Sequence, residues 1–381
     1  MPEFVPPNLL DLRTRLQAFF ANELAGLATG DEAEVPAEVA QTVRRLSRER
    51  GFFGLMQPAE YGGQNIGTLG RVVAYEAVAA ANSPLGRYVF GAPPGLIARA
   101  TGALRDAYLE PVLLGDKRGS FAFTEPSGPD APARQTWATR DGDDLLITGQ
   151  KSYVSGGATA DFYTAMVNVE ASGDVPGGPA MVVIERGTAG VELDRRFNSM
   201  DGGHHVSLKF DRARVPVANI IGEVGEGMQR AMGNITEERI ELSAAACGMA
   251  QWAVHHVAEH ITAPHPSGQR LGDREGVRLR YSDLQIETYV ARSVLYRTGR
   301  LAESGAEIIN EAMATKVFCT ESAGRVIDGA VQLVGGQALI AGHPLEALYR
   351  RVRSLRLAGG ASDIMRLQVA RGRIEFGAGR M

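Results

Sequence analysis

FAFTEPSGPD, residues 121 to 130, and LLITGQKSYVSGGA, residues 145 to 158, decide how this chain is read. In the first, apolar Phe121 and Phe123 alternate with Ala122. Thr124-Glu125-Pro126-Ser127-Gly128-Pro129 then breaks the run, as a β-strand does when it ends in a loop. In the second, a short apolar strand meets a turn at Gly149, and a further extended run ends in Ser155-Gly156-Gly157. A hydroxyl at a strand end beside glycines leaves an open approach for a flat ring held edge-on.

Working outward, the pattern changes on both sides of this region. Before residue 119 it is helical. LLDLRTRLQAFFANEL places Leu9, Leu12, Leu16, Phe19 and Phe20 at three-four spacing. Pro36-Ala37-Glu38 opens a second helix that stops at Gly51, and PAEYGGQ over 58–64 is a loop. Two Ala-rich helices are expected near 68–82 and 93–115. Over 119–222 come short alternating runs with turns at Asp141-Gly142 and over 173–179, a β-domain of barrel or sandwich type. From 223 to 381 long helical patterns return, broken at Ala263-Pro264-His265-Pro266 and His343-Pro344. Three domains follow: 1–118 helical, 119–222 β, and 223–381 a helical bundle.

Composition excludes several functions. The chain has 381 residues, is 44% hydrophobic and carries a net charge of −4, enough to bury a large core. No basic block suggests nucleic acid. No apolar run reaches membrane-span length and no leader is visible, so a cytoplasmic protein is expected. The two cysteines, Cys247 and Cys319, sit in apolar helical contexts and read as reduced, buried thiols. No spacing suits zinc, since His204-His205 and His255-His256 are adjacent pairs that point apart. The glycines of 222–227 open a helix and do not follow a strand, which argues against a nicotinamide domain.

At four places the chain resembles the FAD-dependent acyl-CoA dehydrogenases. FAFTEP is similar to their first flavin-contacting strand and GQKSYVSGGA to their second. RFNSMDGGHHVSLKFDRARVPVANIIGEVGEGM, Arg196 to Met228, resembles the segment closing their β-domain. VQLVGGQALIAGHPLEALYRRVRSLRLAGGASDI, Val331 to Ile364, resembles their C-terminal hairpin. The resemblance implies an N-terminal α-helical domain, a middle β-domain and a C-terminal four-helix bundle, with FAD as cofactor. It also implies α,β-dehydrogenation of an acyl thioester, on CoA or on a carrier protein. An electron-transfer flavoprotein would accept the electrons, and the assembly would be a homotetramer.

The resemblance further assigns residues. Phe121, Phe123 and Thr124 would line the flavin, Tyr153 would pack on it, and Ser155 would offer its hydroxyl to N5. Gln332, Gly335 and Gly336 match a QxxGG segment that reaches FAD from a neighbouring subunit, and Ser362 and Asp363 fall where the family touches the cofactor again. One branch of the family carries its base at the position of Gly359, where the carboxylate is absent here but an N–H survives. A second branch uses a Glu-Arg pair, here Glu238-Arg239, with Arg239 beside the substrate.

The residues agree with that second branch independently. At about 100° per residue, Met228, Ala231, Met232, Ile235, Leu242, Ala246 and Met249 form one face of a helix. Glu238 lies at the edge of that face, Glu237 nearly opposite, and Glu241 outside the stripe. A carboxylate at such an edge is partly desolvated and becomes a stronger base; an ion pair with Arg239 or a neighbour is the alternative.

Some departures bear on substrate. TEPSGPD is one residue shorter than the family motif. The family's RxxFG arginine is replaced by APHPSGQRLGDRE, Ala263 to Glu275, where Arg270 or Arg274 could meet the pyrophosphate. His204 and His205 read as a solvated turn, with substrate contact as the alternative. Two rival functions stand beside dehydrogenation. One is a base-less flavoenzyme of the same fold, a desulfinase-like lyase or a monooxygenase. The other is a non-catalytic partner subunit of a heteromeric dehydrogenase.

Overall fold

The computed structural model describes residues 5–27, 35–57, 59–91, 94–126, 136–173 and 176–380. Ser127 to Asp130 of the opening motif lie outside them. The chain folds into two compact units. One is made of 1–56, 64–89 and 236–381, the other of 57–63 and 90–235.

The second unit is built on a seven-stranded sheet. Its strands are β1 (Gly119–Ala122), β2 (Trp137–Asp141), β3 (Asp144–Ser155), β4 (Phe162–Val169), β5 (Gly178–Glu185), β6 (Val191–Asn198) and β7 (His204–Pro216). β4 carries β5 antiparallel on one edge. On the other it takes β1 and β2 end to end, both parallel to it. β3, β7 and β6 then extend the sheet from β2, each antiparallel to its neighbour. Side chains alternate across a strand. One set on β4 and β5, with Tyr163, Ala165, Val167, Val182 and Ile184, joins Val206, Leu208 and Phe210 in the core the curled sheet encloses. The other set, Phe162, Met166, Met181 and Val183, meets Leu96, Ile97, Leu104 and Leu109. Both faces are therefore covered, which is why β4 and β5 are almost continuously apolar.

Leu96 to Leu109 do not form the continuous helix expected over 93–115. Short turns replace it, at Gly95–Arg99, Gly102–Leu104, Arg105–Leu109 and Glu110–Leu114. Gly95 at φ 56° and Gly102 at φ 54° take left-handed conformations that break an α-helix.

The first unit is helical. α1 (Pro7–Phe19), α2 (Ala37–Glu49) and α3 (Gly67–Ala80) come from the N-terminal segment. α4 (Gly227–Thr262), α5 (Glu275–Glu303), α6 (Ile309–Val334), α7 (Pro344–Leu355) and α8 (Ser362–Phe376) follow the sheet, the first turns of α4 belonging to the other unit. Leu9, Leu12, Leu16, Phe19 and Phe20 are buried, as their spacing predicts. α3 packs on both α1 and α5. Glu76 of α3, 1% exposed, is held there by Arg292 at 2.7 Å and by the Tyr296 hydroxyl at 2.6 Å. Cys247 and Cys319 are free and buried.

α4 buries more than the one stripe read from its sequence. Ala231, Ile235 and Ala246 are inside, but so are Ile240, Ala244, Cys247 and Ala250, while Met228 is 37% exposed. A helix covered on several sides defeats a one-face wheel.

Candidate active site

In the second unit, the ends of β1 and β3 come together. The Ser152 N–H donates to the Thr124 carbonyl at 2.9 Å, and Ser120 Oγ donates to the Ser155 carbonyl at 2.9 Å. Beneath them lies a buried ion pair. Lys151 Nζ sits 2.8 Å from Glu125 Oε1, and the side chains are 0% and 1% exposed. Lys151 also donates to the Phe123 carbonyl at 3.2 Å, and Thr136 N–H to Glu125 Oε1 at 3.1 Å. The pair thus ties the FAFTEP strand to the GQKSYVS strand from below.

Above it, Thr124 and Ser155 are exposed. Tyr153 is 64% exposed, its ring edge-on to Phe197 with centroids 4.9 Å apart. Ser155 and His205 are cross-strand partners. An uncovered aromatic ring beside two exposed hydroxyls, one of them followed by two glycines, fits a flat heteroaromatic cofactor. The Phe121 and Phe123 rings stack at 5.5 Å and lean on the Leu96–Leu109 cluster, so the rings themselves are packing groups.

His204 and His205 are not a solvated turn. They are half-buried first residues of β7, and His204 Nε2 is buried with no hydrogen-bond partner among the described residues. Burial, then Arg196 and His205, hold its pKa below the usual histidine value.

In the first unit, α4 presents three carboxylates within about one turn. Glu241 is 2.8 Å from Arg71 of α3, and Glu237 is 3.6 Å from the same guanidinium. Glu241, placed outside the apolar stripe by its spacing, is therefore largely covered, its side chain 16% exposed; its pairing with Arg71 explains the difference. Glu238 makes no hydrogen bond or ion pair with any described residue. The pairing weighed for it is absent. Burial pushes its carboxyl above the usual value, opposed by the charges of Arg239 and Lys316.

Arg239 turns instead to the loop before α8, where its Nε donates to the Gly359 carbonyl at 3.0 Å. Lys316 of α6 donates to the next carbonyl, Gly360, at 2.8 Å. Gly359 has φ +64°, a left-handed position, and its N–H has no partner among the described residues. Ser362 caps the same loop, its N–H on the Arg356 carbonyl at 3.2 Å. Asp363 points outward and pairs with Arg366 at 3.3 Å. Gln332 and Gly336 are exposed at the end of α6, and Gly335 bends the chain there with φ +84°.

Of the two arginines offered for the pyrophosphate, Arg270 is paired with Asp273 at 3.1 Å, and Arg274 precedes α5. Sequence reading missed Lys316, Lys151 with Glu125, and Arg71. A lysine inside AMATKVFCT, an otherwise uncharged helical run, is a signal that could have found the first.

Three family models match the chain: the acyl-CoA dehydrogenase N-terminal domain over 7–116, the middle domain over 120–213 and the C-terminal domain over 225–374. The chain belongs to the acyl-CoA dehydrogenase family, whose members oxidise a carbon–carbon single bond with FAD. It is 29% identical to an acryloyl-CoA reductase (NADH) of Anaerotignum propionicum over 341 residues, covering 87% of this chain and 86% of that one. It is 26% identical to a 3-(aryl)acrylate reductase of Clostridium sporogenes over 368 residues, covering 94% and 96%. A glutaryl-CoA dehydrogenase of Mycobacterium smegmatis, solved in complex with FADH2, shares the fold with a TM-score of 0.84 at 18% identity, covering 99% of this chain and 97% of that one. No described helix is long and apolar enough to cross a membrane.

Proposed function

We propose that this chain removes hydrogen from Cα and Cβ of an acyl thioester, with Glu238 as the base. The observation that carries this reading is the isolation of one carboxylate among three. Glu237 and Glu241 share the Arg71 guanidinium, whereas Glu238 meets no described partner; burial raises the carboxyl pKa of Glu241 as well as of Glu238, so the missing partner is what sets Glu238 apart. A carboxylate that is costly to keep charged gains by accepting a proton, the property a base for a weakly acidic Cα–H needs.

The remaining roles follow from the same chemistry. As the α-proton leaves, charge builds on the thioester oxygen and must be met by a donor. The unpartnered Gly359 N–H serves there, on a loop whose neighbouring carbonyls are already held. Arg239, held by that loop, keeps its charge near Glu238 without bonding it. In the second unit, Thr124, Tyr153 and Ser155 would hold the flavin, with Phe121 and Phe123 packed behind. When bound, FAD supplies the acceptor for the β-hydrogen and its electron pair. Gln332, Gly335, Gly336, Ser362 and Asp363 are proposed to complete the cofactor's binding in the assembled protein.

That assembly is proposed as a homotetramer, since Ile286 and Val290 leave an apolar strip of α5 60% and 39% exposed. Electron-transfer flavoprotein is the proposed electron acceptor. The names of the two relatives as reductases favour one further reading, the reverse reaction, in which Glu238 would deliver a proton to Cα.

The test is a panel of acyl thioesters mixed with FAD-loaded protein, read by flavin bleaching. At least one should bleach the wild type, and Glu238→Gln should remove the response while leaving flavin content unchanged. Bleaching at the wild-type rate in Glu238→Gln would move the base elsewhere and favour the base-less rival.

A further inference from the structure

Lys316 lies in the first third of α6 and is 0% exposed. An ammonium carries three donors. Here a single acceptor is met, the Gly360 carbonyl at 2.8 Å, and no ion pair forms with any described residue. The charged groups around it are Arg239 and Glu238 from α4, Glu321 from α6 itself, and Arg356 just beyond α7. Such burial disfavours the charged form, and the ammonium's pKa falls to about 8, with Arg239 adding to the effect of burial. A lysine placed there weakens the fold at neutral pH. Residues that break the rules of stable burial concentrate where function demands them.

What it touches indicates the function. Gly359 and Gly360 stand at φ +64° and +117°, both positive. Two successive glycines give a loop great conformational freedom. Here two cations on different helices, Arg239 and Lys316, each hold one of the two carbonyls. Because a peptide unit is planar, these bonds fix the units that carry the Gly360 and Ala361 N–H groups, and the Gly359 N–H lies in the unit just before them, which is flanked on its other side by a unit held through the Ala358 N–H on the Ser354 carbonyl at 3.0 Å.

We propose that Lys316 is a positioning residue, which with Arg239 clamps the Gly359-Gly360 loop so that the Gly359 N–H is preset for the thioester oxygen. The proposal rests on the dehydrogenase reading of Glu238 and Gly359. Its charge has a second effect, since an ammonium near Glu238 favours the ionised carboxylate.

Two variants of the FAD-loaded protein separate clamp from reaction. Lys316→Met removes charge and donors, whereas Lys316→Gln returns a donor without charge. Hydrogen exchange is read first, without substrate, over residues 357–362, where the Gly360 and Ser362 N–H groups are hydrogen-bonded. The clamp predicts exchange at least tenfold faster in Lys316→Met and partial protection in Lys316→Gln. Flavin reduction by a responsive acyl thioester should slow at least tenfold in Lys316→Met, and its acid limb should move to higher pH in both variants. A purely structural lysine would not move that limb. Wild-type exchange in Lys316→Met overturns the clamp whatever the enzyme acts on, as does a wild-type reduction rate with an unmoved acid limb. Wild-type protein that bleaches with no acyl thioester overturns the dehydrogenase reading instead, and the exchange result then stands alone.

Discussion

Removing Glu125 should disable the second unit more than any surface change. In Glu125→Ala the Lys151 ammonium still meets the Phe123 carbonyl at 3.2 Å but loses the carboxylate 2.8 Å away. The buried Thr136 N–H loses the carboxylate acceptor it now meets at 3.1 Å. Breaking one half of a buried ion pair destabilises by about 3–5 kcal/mol. At a urea slope of about 2 kcal/mol per M, the midpoint should fall by roughly 2 M. The chain has two tryptophans, one per unit, so Trp252→Phe leaves Trp137 of β2 as a reporter for this unit alone. Lys151→Met should cost about as much, since it strands the carboxylate. The pair Glu125→Gln with Lys151→Met removes both charges, keeps an oxygen for Thr136, and should recover most of the loss. Flavin affinity should fall with Glu125→Ala as the Phe123 and Thr124 strand end loosens. A loss below about 1 kcal/mol in Glu125→Ala, or a double variant no better than the singles, would refute the view that these charges are dry and coupled.

Glu238→Gln should lower flavin reduction by about 10²-fold to 10⁴-fold, the usual effect of losing a general base, in stopped-flow bleaching. It should also raise stability at neutral pH. The folded pKa of Glu238 lies above the usual 4.5, so the native state holds the proton longer and loses stability as pH rises through that interval. Urea midpoints of variant and wild type should therefore differ at pH 7 and converge below pH 4.5. Adding Gly359→Glu to Glu238→Gln should fail to restore bleaching. The left-handed φ of +64° and a Leu242 Cδ1 only 3.1 Å from the new Cβ strain the loop, by about 1–2 kcal/mol for the backbone alone, and circular dichroism melts should record it.

The strands were legible because both flavin-strand candidates end in Gly, Pro and Ser, and because turns such as Asp141-Gly142 punctuate the sheet. α1 was legible from one clear apolar stripe. The stretch after Gly95 was not, because Ala-rich composition suggests a helix while two left-handed glycines forbid it. Glu238 drew notice through its angle on the helix and its Arg239 neighbour, whereas its burial and its lack of a described partner are visible only in the fold. Arg71 could not be found, since it is 170 residues away from the Glu241 it pairs with. Lys151 carries no such signal within GQKSYVS, and only the fold shows Glu125 beneath the same strand end.

The first unit is discontinuous, and that has a consequence for how the protein is made. Glu76, which can meet Arg13 at 2.8 Å, must still wait more than two hundred residues for Arg292 and Tyr296. The apolar face of α3 must likewise wait for α5. Over that interval α1 and α3 can pack on each other but lack α5, whereas the sheet unit has all its strands by residue 216. Domains generally fold as units during synthesis, and exposed apolar surface invites aggregation meanwhile. The order of completion is therefore sheet first and the helical unit last. On ribosome-arrested chains, protease resistance should reach the sheet before 1–89, and the opposite order would show that the N-terminal helices find a stable core without α5.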